Sequence, residues 1–275
     1  MKSIIYSLLA LLCFLSSCAT ASFSEYPGIG RIKQYDIYSK DLPSSFDGFK
    51  VAFAADFHYE SRFTKDCLDP MVRALRSMHA DVLLLGGDYQ GRNGGDMDTL
   101  FASLKQVLTP FGTYAVMGNH DYARGYESML ETMKKNGIRV LEHESDFLCN
   151  GQDTIIVSGV RDPFNLKKNG VSPSEQFRDD QFVLLLTHTP DYAEDVDVSK
   201  ADLVLAGHTH GGQVSLMKKY SPAHFSKYGN RFLTGKTTNT KGIPVIITNG
   251  LGTSRADVRL FTPSEVVMIV LHCKQ

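Results

Sequence analysis

Cysteine is scarce in this sequence and poorly placed for cross-linking. Of five cysteines in 275 residues, Cys13 and Cys18 fall near the start, leaving Cys67, Cys149 and Cys273 as an odd and widely spaced set. No disulfide framework follows from that spacing, and the lack of any C-x-x-C pair removes the usual thiolate metal and redox signatures. Any metal must therefore be held by nitrogen and oxygen. A long basic run is also missing, and the formal net charge is −1. That balance argues against a broad electrostatic patch, so no nucleic-acid partner is expected. There is no internal repeat and no low-complexity tract.

What is present suits one large folded domain. Hydrophobic residues make up 43% and charged residues 21% of the chain, enough to bury a substantial core. The opening stretch, MKSIIYSLLALLCFLSSCATAS, is a separate object. Lys2 supplies a positive n-region, and Ile4 to Leu15 is apolar but short of the roughly 20 residues of a membrane span. This reads as a secretory signal. Its end, Leu15-Ser16-Ser17-Cys18, resembles a bacterial lipobox, in which the cysteine is lipidated and becomes the first mature residue. An A-x-A cleavage site at Ala19-Thr20-Ala21 and an uncleaved N-terminal anchor are the competing readings. The favoured organisation is a signal peptide over 1–17, a lipid-anchored tether over 18–30 and one domain over 31–275. It places the protein in the cell envelope, periplasm-facing, with Cys18 as its membrane anchor.

Beyond the tether, short apolar runs alternate with amphipathic stretches. Strands are expected at Lys50–Ala55, Val82–Leu85, Tyr114–Met117, Thr154–Val157, Phe182–Leu186, Leu203–Ala206, Val245–Thr248 and Val266–Leu271. Helical spacing links Leu68, Met71, Val72, Leu75 and Met78, then Leu100, Phe101, Leu104, Val107 and Leu108, then Met129, Leu130 and Met133. Asn136-Gly137 is the expected stop of the last helix. The alternation predicts an α/β fold with an at least partly parallel sheet.

The informative residues are those that follow the apolar runs. The first run leads to Asp56-Phe57-His58, the second to Gly86-Gly87-Asp88, and the third to Gly118-Asn119-His120-Asp121. Two later runs lead to Thr187-His188 and to Gly207-His208-Thr209-His210. Taken singly, most of these are weak: D-x-H arises by chance, Gly-Asp is ordinary turn chemistry, and a lone histidine after a strand is more often a hydrogen-bonded core residue. The pair His208 and His210 is more specific, because side chains at i and i+2 of a strand end project the same way. Together they are hard to assign to chance. Sites in open α/β sheets form at the carboxyl ends of strands, so Asp56, His58, Asp88, Asn119, His188, His208 and His210 are expected to converge. Seven ligands are too many for one protein-held ion and suit a pair of ions bridged by one carboxylate. Asp88, alone after two glycines, is the natural bridge.

In that order, D-x-H, G-D, G-N-H-D, H and G-H-x-H resemble the calcineurin-like metallophosphoesterases. The resemblance spans about Lys50 to His210 and continues through NGLGTSRADVRLFTPSEV. Together with LLLTHTPD and GHTHGGQ, that tail resembles a bacterial subgroup with signals or membrane anchors. It includes envelope phosphoesterases and UDP-diacylglucosamine pyrophosphatases of the lipid A pathway. The resemblance implies a four-layer αββα sandwich. It implies one metal on Asp56, His58, Asp88 and His210, and a second on Asp88, Asn119, His188 and His208. It also implies that His120 is catalytic and that Asp121 orients it. Departures occur at Gly91, where some relatives carry a further aspartate, and at Tyr59-Glu60, where a small residue is common. They bear on the substrate more than on the ligands.

The chemistry expected of such a set is hydrolysis of a phosphomonoester or phosphodiester. Two ions bridged by Asp88 would share a water and make it hydroxide near neutral pH. His120 would protonate or hydrogen-bond the leaving oxygen. Imidazole-rich nitrogen and oxygen ligation suits manganese, iron or zinc. The expected partner is a phosphorylated small molecule or lipid. A UDP-2,3-diacylglucosamine-type pyrophosphatase and a non-catalytic metal-binding envelope lipoprotein are the alternatives. An exported lipoprotein would not meet a cytoplasmic UDP-lipid, and no ligand or catalytic residue is missing as it would be in a degraded relative. Tyr59, Phe63 and Tyr122 read as packing before they read as a lipid pocket, and Lys218-Lys219-Tyr220 and Arg231 read as solvated surface. The GLGTS segment at 250–254 has no role assignable from sequence.

Overall fold

Two six-stranded sheets carry the chain, in the orders β1-β12-β2-β3-β4-β5 and β10-β11-β9-β8-β7-β6. The structure is a computed structural model that describes residues 25–166, 170–215, 221 and 223–274. The expected signal peptide, Cys18 and Lys218-Lys219-Tyr220 lie outside the described residues. In the first sheet β2 (Lys50–Ala54), β3 (Val82–Leu85), β4 (Thr113–Ala115) and β5 (Ile138–Val140) run parallel. β12 (Glu265–Cys273) is antiparallel to β2 and parallel to β1 (Arg31–Ser39). In the second sheet β7 (Asp153–Gly159), β8 (Val183–Leu186), β9 (Leu203–Ala206) and β11 (Pro244–Ile247) are parallel. β6 (Glu144–Asn150) and β10 (Gly235–Thr238) close its edges antiparallel.

Alternation along the central strands sorts side chains into layers. Val51 and Phe53 of β2 face Leu184, Leu186, Leu203 and Leu205 across the gap between the sheets. Ala52 and Ala54 point the other way, toward Met71 and Leu75 of α1 (Leu68–Ser77), Phe101 of α2 (Met97–Leu104) and Met133 of α4 (Tyr126–Lys135). On the far side Leu185, Val204 and Ile247 pack on Tyr192 and Ala193 of the short α5 (Tyr192–Asp195). Three apolar interfaces make four layers, the expected αββα sandwich. Strands buried on both faces, such as VLLL at 82–85, read as continuous apolar runs for this reason. Each buried leucine there contributes about 1.5–3 kcal/mol.

Several expectations shift. α2 ends at Leu104, and Leu108 is 84% exposed, so the helical stripe drawn through Leu108 is broken. Strands β1, β5, β6 and β10 have no counterpart in the sequence reading. The tether drawn to residue 30 runs too far: Ile29 is buried in the helix-side core, and Tyr26 packs against that core. Asn119–Ala123 forms a short helix, α3, directly after β4, so Asn119, His120 and Asp121 sit on its first turn.

Candidate metal centre

The carboxyl ends of β2, β3 and β4 in one sheet and of β8 and β9 in the other meet at one edge. The His188 ring crosses between sheets, its Nδ1 2.7 Å from the Gly86 carbonyl oxygen. The His208 backbone N–H crosses as well, donating to both Asp56 carboxylate oxygens at 3.0 Å. Such close approach needs residues without side chains. A Cβ on Gly207 would lie 2.5 Å from Asp56 Oδ2, and one on Gly118 would strike Asp88 Oδ1.

Backbone conformation marks the same residues. Asp56, His58, Asp88, His208 and His210 all have positive φ, between 38° and 71°. Left-handed conformations cost non-glycine residues about 1–3 kcal/mol each and persist where surrounding structure dictates them. Here five of the seven expected ligands carry that cost, and it turns each side chain into the gap between the sheets.

The ligand atoms form two groups, joined by a third through His58 and Asp88. Asp56, His58 and His210 make one, and Asp88, His188 and His208 the other, with His58, Asp88 and His120 linking them. His58 Nε2 lies 3.1 Å from His210 Nε2 and 3.4 Å from Asp88 Oδ2. His188 Nε2 is also 3.4 Å from Asp88 Oδ2, and His210 Nε2 is 3.7 Å from Asp56 Oδ1. Ligands bound about 2.0–2.2 Å from a cation stand about 3.0–3.5 Å apart at tetrahedral or octahedral angles, so this spacing fits ions between them.

Unsatisfied atoms point the same way. His188 Nε2 and Asn119 Oδ1 are buried without a hydrogen-bond partner. Since a carbonyl only accepts, His188 donates to Gly86 through Nδ1–H. That leaves the Nε2 lone pair for a cation, the usual outer support of a ligating histidine. Asn119, on the first turn of α3 beside His120, offers its orphaned amide oxygen as a candidate ligand.

Electrostatics prepare most of the ligands. Burial pushes His58 down to about 4 and His208 to about 3, and holds His210 well below its ordinary value. These three rings are neutral at pH 7 and able to ligate. At His188 burial opposes charge but the neighbouring Asp88 outweighs it, raising the ring to about 9. Burial alone would raise Asp88, yet His188, His58 and His120 around it hold its carboxyl well below the usual range. Asp56 is pushed up to about 7, chiefly by burial.

His120 stands at the mouth, its side chain 26% exposed and Nε2 3.9 Å from Asp88 Oδ2. Its ring meets that of His58 edge-on, with centroids 5.0 Å apart. Asp121 is placed differently from the expectation that it orients His120. Its buried carboxylate accepts from the backbone N–H groups of Asp88 (2.8 Å), Tyr89 (2.9 Å) and Gly118 (2.8 Å). What it directly orients is the Asp88 turn.

Arg259 joins the site without any signature in the sequence. Its guanidinium donates to the carbonyls of Gly252 (2.5 Å), Asn249 (2.7 Å), Gly250 (3.2 Å), Thr262 (3.2 Å) and His210 (3.4 Å). Gly252 N–H in turn donates to the Asp56 carbonyl at 2.7 Å, and Leu251 N–H to that of Ala55 at 3.1 Å. The GLGTS segment thus backs the Asp56–His58 turn and Arg259 clamps it. Nothing in RADVRL separates Arg259 from a surface arginine. Tyr59 and Phe63 are buried packing residues, and Arg231 pairs with Glu194 at 2.7 Å rather than meeting solvent alone. At Gly91 a Cβ would strike the Tyr59 carbonyl oxygen, which leaves no room for an aspartate there.

A family model described as calcineurin-like phosphoesterase matches residues 49–212. The chain belongs to that family. This calcineurin-like phosphoesterase is accordingly a hydrolase of phosphoric esters, and its family uses divalent metals, for which the residues at the sheet edge fit. It is 28% identical over 250 residues to an uncharacterized metallophosphoesterase of Aquifex aeolicus, covering 89% of this chain and 92% of that protein. It is 34% identical over 193 residues to the phosphodiesterase YaeI of Escherichia coli, covering 66% of this chain and 68% of that protein. Among solved structures, a 5'-nucleotidase precursor from Thermus thermophilus aligns with a TM-score of 0.43 and 13% identity, over 81% of this chain and 54% of that one.

Proposed function

We propose that this phosphoesterase hydrolyses a phosphodiester of the cell envelope, its substrate lipid-linked and its site loaded with two divalent ions. The observation that carries the reading is the run of three ligand groups linked through His58 and Asp88, with His188 Nε2 and Asn119 Oδ1 buried and lacking hydrogen-bond partners. Asp56, His58, Asp88 and His210 would hold one ion, and Asp88, Asn119, His188 and His208 the other. Bound there, the ions supply charge for the phosphoryl oxygens and an ionised water near neutral pH. Manganese, iron and zinc suit the imidazole-rich set.

The chain's own residues do the rest. Asp121 and the Gly118 turn fix Asp88. His120, lowered by burial and partly exposed, holds a position from which it hydrogen-bonds or protonates the leaving oxygen. The printed name of the Escherichia coli relative, a phosphodiesterase, favours a diester over a monoester. The lipobox-like LSSC at 15–18 favours tethering through Cys18 on the periplasmic side.

The test joins elemental analysis of the purified chain to a panel of aryl phosphomonoester, aryl phosphodiester and UDP-diacylglucosamine, each with and without manganese. Two metals per chain with preferred, metal-dependent diester cleavage is the expected result. Preference for UDP-diacylglucosamine would replace it with the pyrophosphatase reading, and metal without turnover on any member would replace it with a binding role.

A further inference from the structure

The first strand starts at the metal edge. β1 is parallel to β12 and β12 antiparallel to β2, so Arg31, paired with Glu265, lies at the end where β2 delivers Asp56. The preceding residues are fastened there: Gly30 N–H donates to Ser264 Oγ at 3.0 Å, and Ser264 Oγ–H to the Gly28 carbonyl at 2.9 Å. Anything that holds residues 1–24 therefore holds the molecule by its metal edge. The seven peptide steps from Cys18 to Glu25 reach at most about 25 Å when fully extended.

Beside this attachment, the loop over 254–262 displays apolar side chains. Val258, Leu260 and Phe261 are 52%, 46% and 46% exposed, a concentration of large exposed hydrophobics within four positions. The loop is built rather than slack. Gln213, three residues past His210, donates from Nε2 to the carbonyls of Ala256 (2.9 Å) and Val258 (3.3 Å) and accepts from Ser254 N–H (2.5 Å). Leu260 N–H donates to the Gln213 carbonyl at 2.8 Å. Phe261 holds φ at 60°, a conformation costly for a bulky aromatic that leaves its ring in water. Exposed Arg62 lies beside the loop, and within it exposed Arg255 stacks on the Phe225 ring at 4.9 Å and accompanies exposed Asp257; Phe164 is 47% exposed with its ring 5.1 Å from that of His208. An apolar tip with basic neighbours matches the boundary of a phospholipid bilayer, where acyl chains lie below phosphate headgroups.

We propose that the 254–262 loop docks into a glycerophospholipid bilayer and seats the metal edge on its surface, so that a lipid phosphoester reaches the site from the membrane plane. This rests on the reading of a tethered phosphoesterase given above.

The chain contains no tryptophan, so a single introduced one reports alone. The full chain carrying Phe261→Trp, and separately Leu260→Trp, is reconstituted in vesicles of phosphatidylcholine and phosphatidylglycerol. Tyr38→Trp serves as the control, since Tyr38 is 64% exposed near the opposite end of β1. Lipids brominated high on the acyl chain should quench the loop reporters at least threefold more than the control. No quenching of either loop reporter, or quenching equal to the control, overturns the proposal. A blue shift without bromine quenching that grows with protein density assigns the loop to a second copy of the chain and overturns it too. Hydrolysis of a soluble aryl phosphodiester by the same variants tests the enzymatic reading separately, because that substrate needs no bilayer.

Discussion

Asp121 stands behind Asp88 and holds its backbone: one buried carboxylate oxygen accepts the Asp88 N–H at 2.8 Å, and the other the Tyr89 N–H at 2.9 Å. The Asp88 side chain is thereby free to face His58 and His188 while its main chain keeps a left-handed turn. A first-turn acid of α3, which follows β4, thus positions a ligand in the turn after the neighbouring strand β3.

Asp121→Asn is expected to weaken metal binding as well as turnover. The carboxamide brings an NH2 toward N–H donors that a carboxylate satisfied, at a cost of about 1–3 kcal/mol per unsatisfied group, and the Asp88 turn relaxes. Metal titration with elemental analysis checks this. Metal affinity as in the wild type with turnover alone lost would return Asp121 to the service of the His120 ring.

His120→Ala should behave oppositely. Both metals stay, because His120 stands at the mouth, partly exposed, and in neither of the two outer ligand groups, while the rate constant falls by about 10²–10⁴, the usual contribution of a positioned proton donor. The loss should shrink with aryl esters whose leaving groups need no proton. His208→Ala, by contrast, should lose metal and activity together.

Metal uptake should release protons. In the bare site His188 is raised to about 9, so below that pH an ion must expel its proton before ligating. Apparent affinity should fall about tenfold per pH unit as pH drops below about 9. It should fall more steeply below about 7, where Asp56 also protonates. Calorimetry in buffers of different ionisation enthalpy should count about one proton released near pH 8. No release at that pH would contradict the assignment of His188.

Arg259→Met should destabilise the fold and loosen the Asp56 side of the site. The substitution keeps apolar bulk but strips the carbonyls of residues 249, 250 and 252 of their buried donor, a loss of about 3 kcal/mol. A lowered Tm is expected, with a weaker first metal and little change at the Asp88, His188 and His208 group. Unchanged stability would mean that water replaces the guanidinium.

Much of the site could be read from the sequence because strand ends are a local signal. VLLL at 82–85 and LVLA at 203–206 are buried on both faces, so each reads as an apolar run that stops where polar residues begin. Six of the expected ligands, Asp56, His58, Asp88, His188, His208 and His210, fall into the clustered groups at that edge. β1 escaped notice because its pattern alternates partly buried and exposed positions, as an edge strand facing water on one side does. β10, reading GKTT, has little apolar content to report.

The sequence by itself determined the ligand chemistry: thiolate is unavailable, and aspartate, asparagine and histidine follow five apolar runs. Only the tertiary structure decided that two sheets, not one, contribute those runs, that Asp121 serves Asp88, that Arg259 packs against the metal loops, and that β1 starts at the metal edge. These follow from strand order and from contacts between residues as far apart as Asp56 and His208. Periodicity reports only the environment of neighbouring residues, whereas such pairings are fixed when two distant apolar faces bury one another.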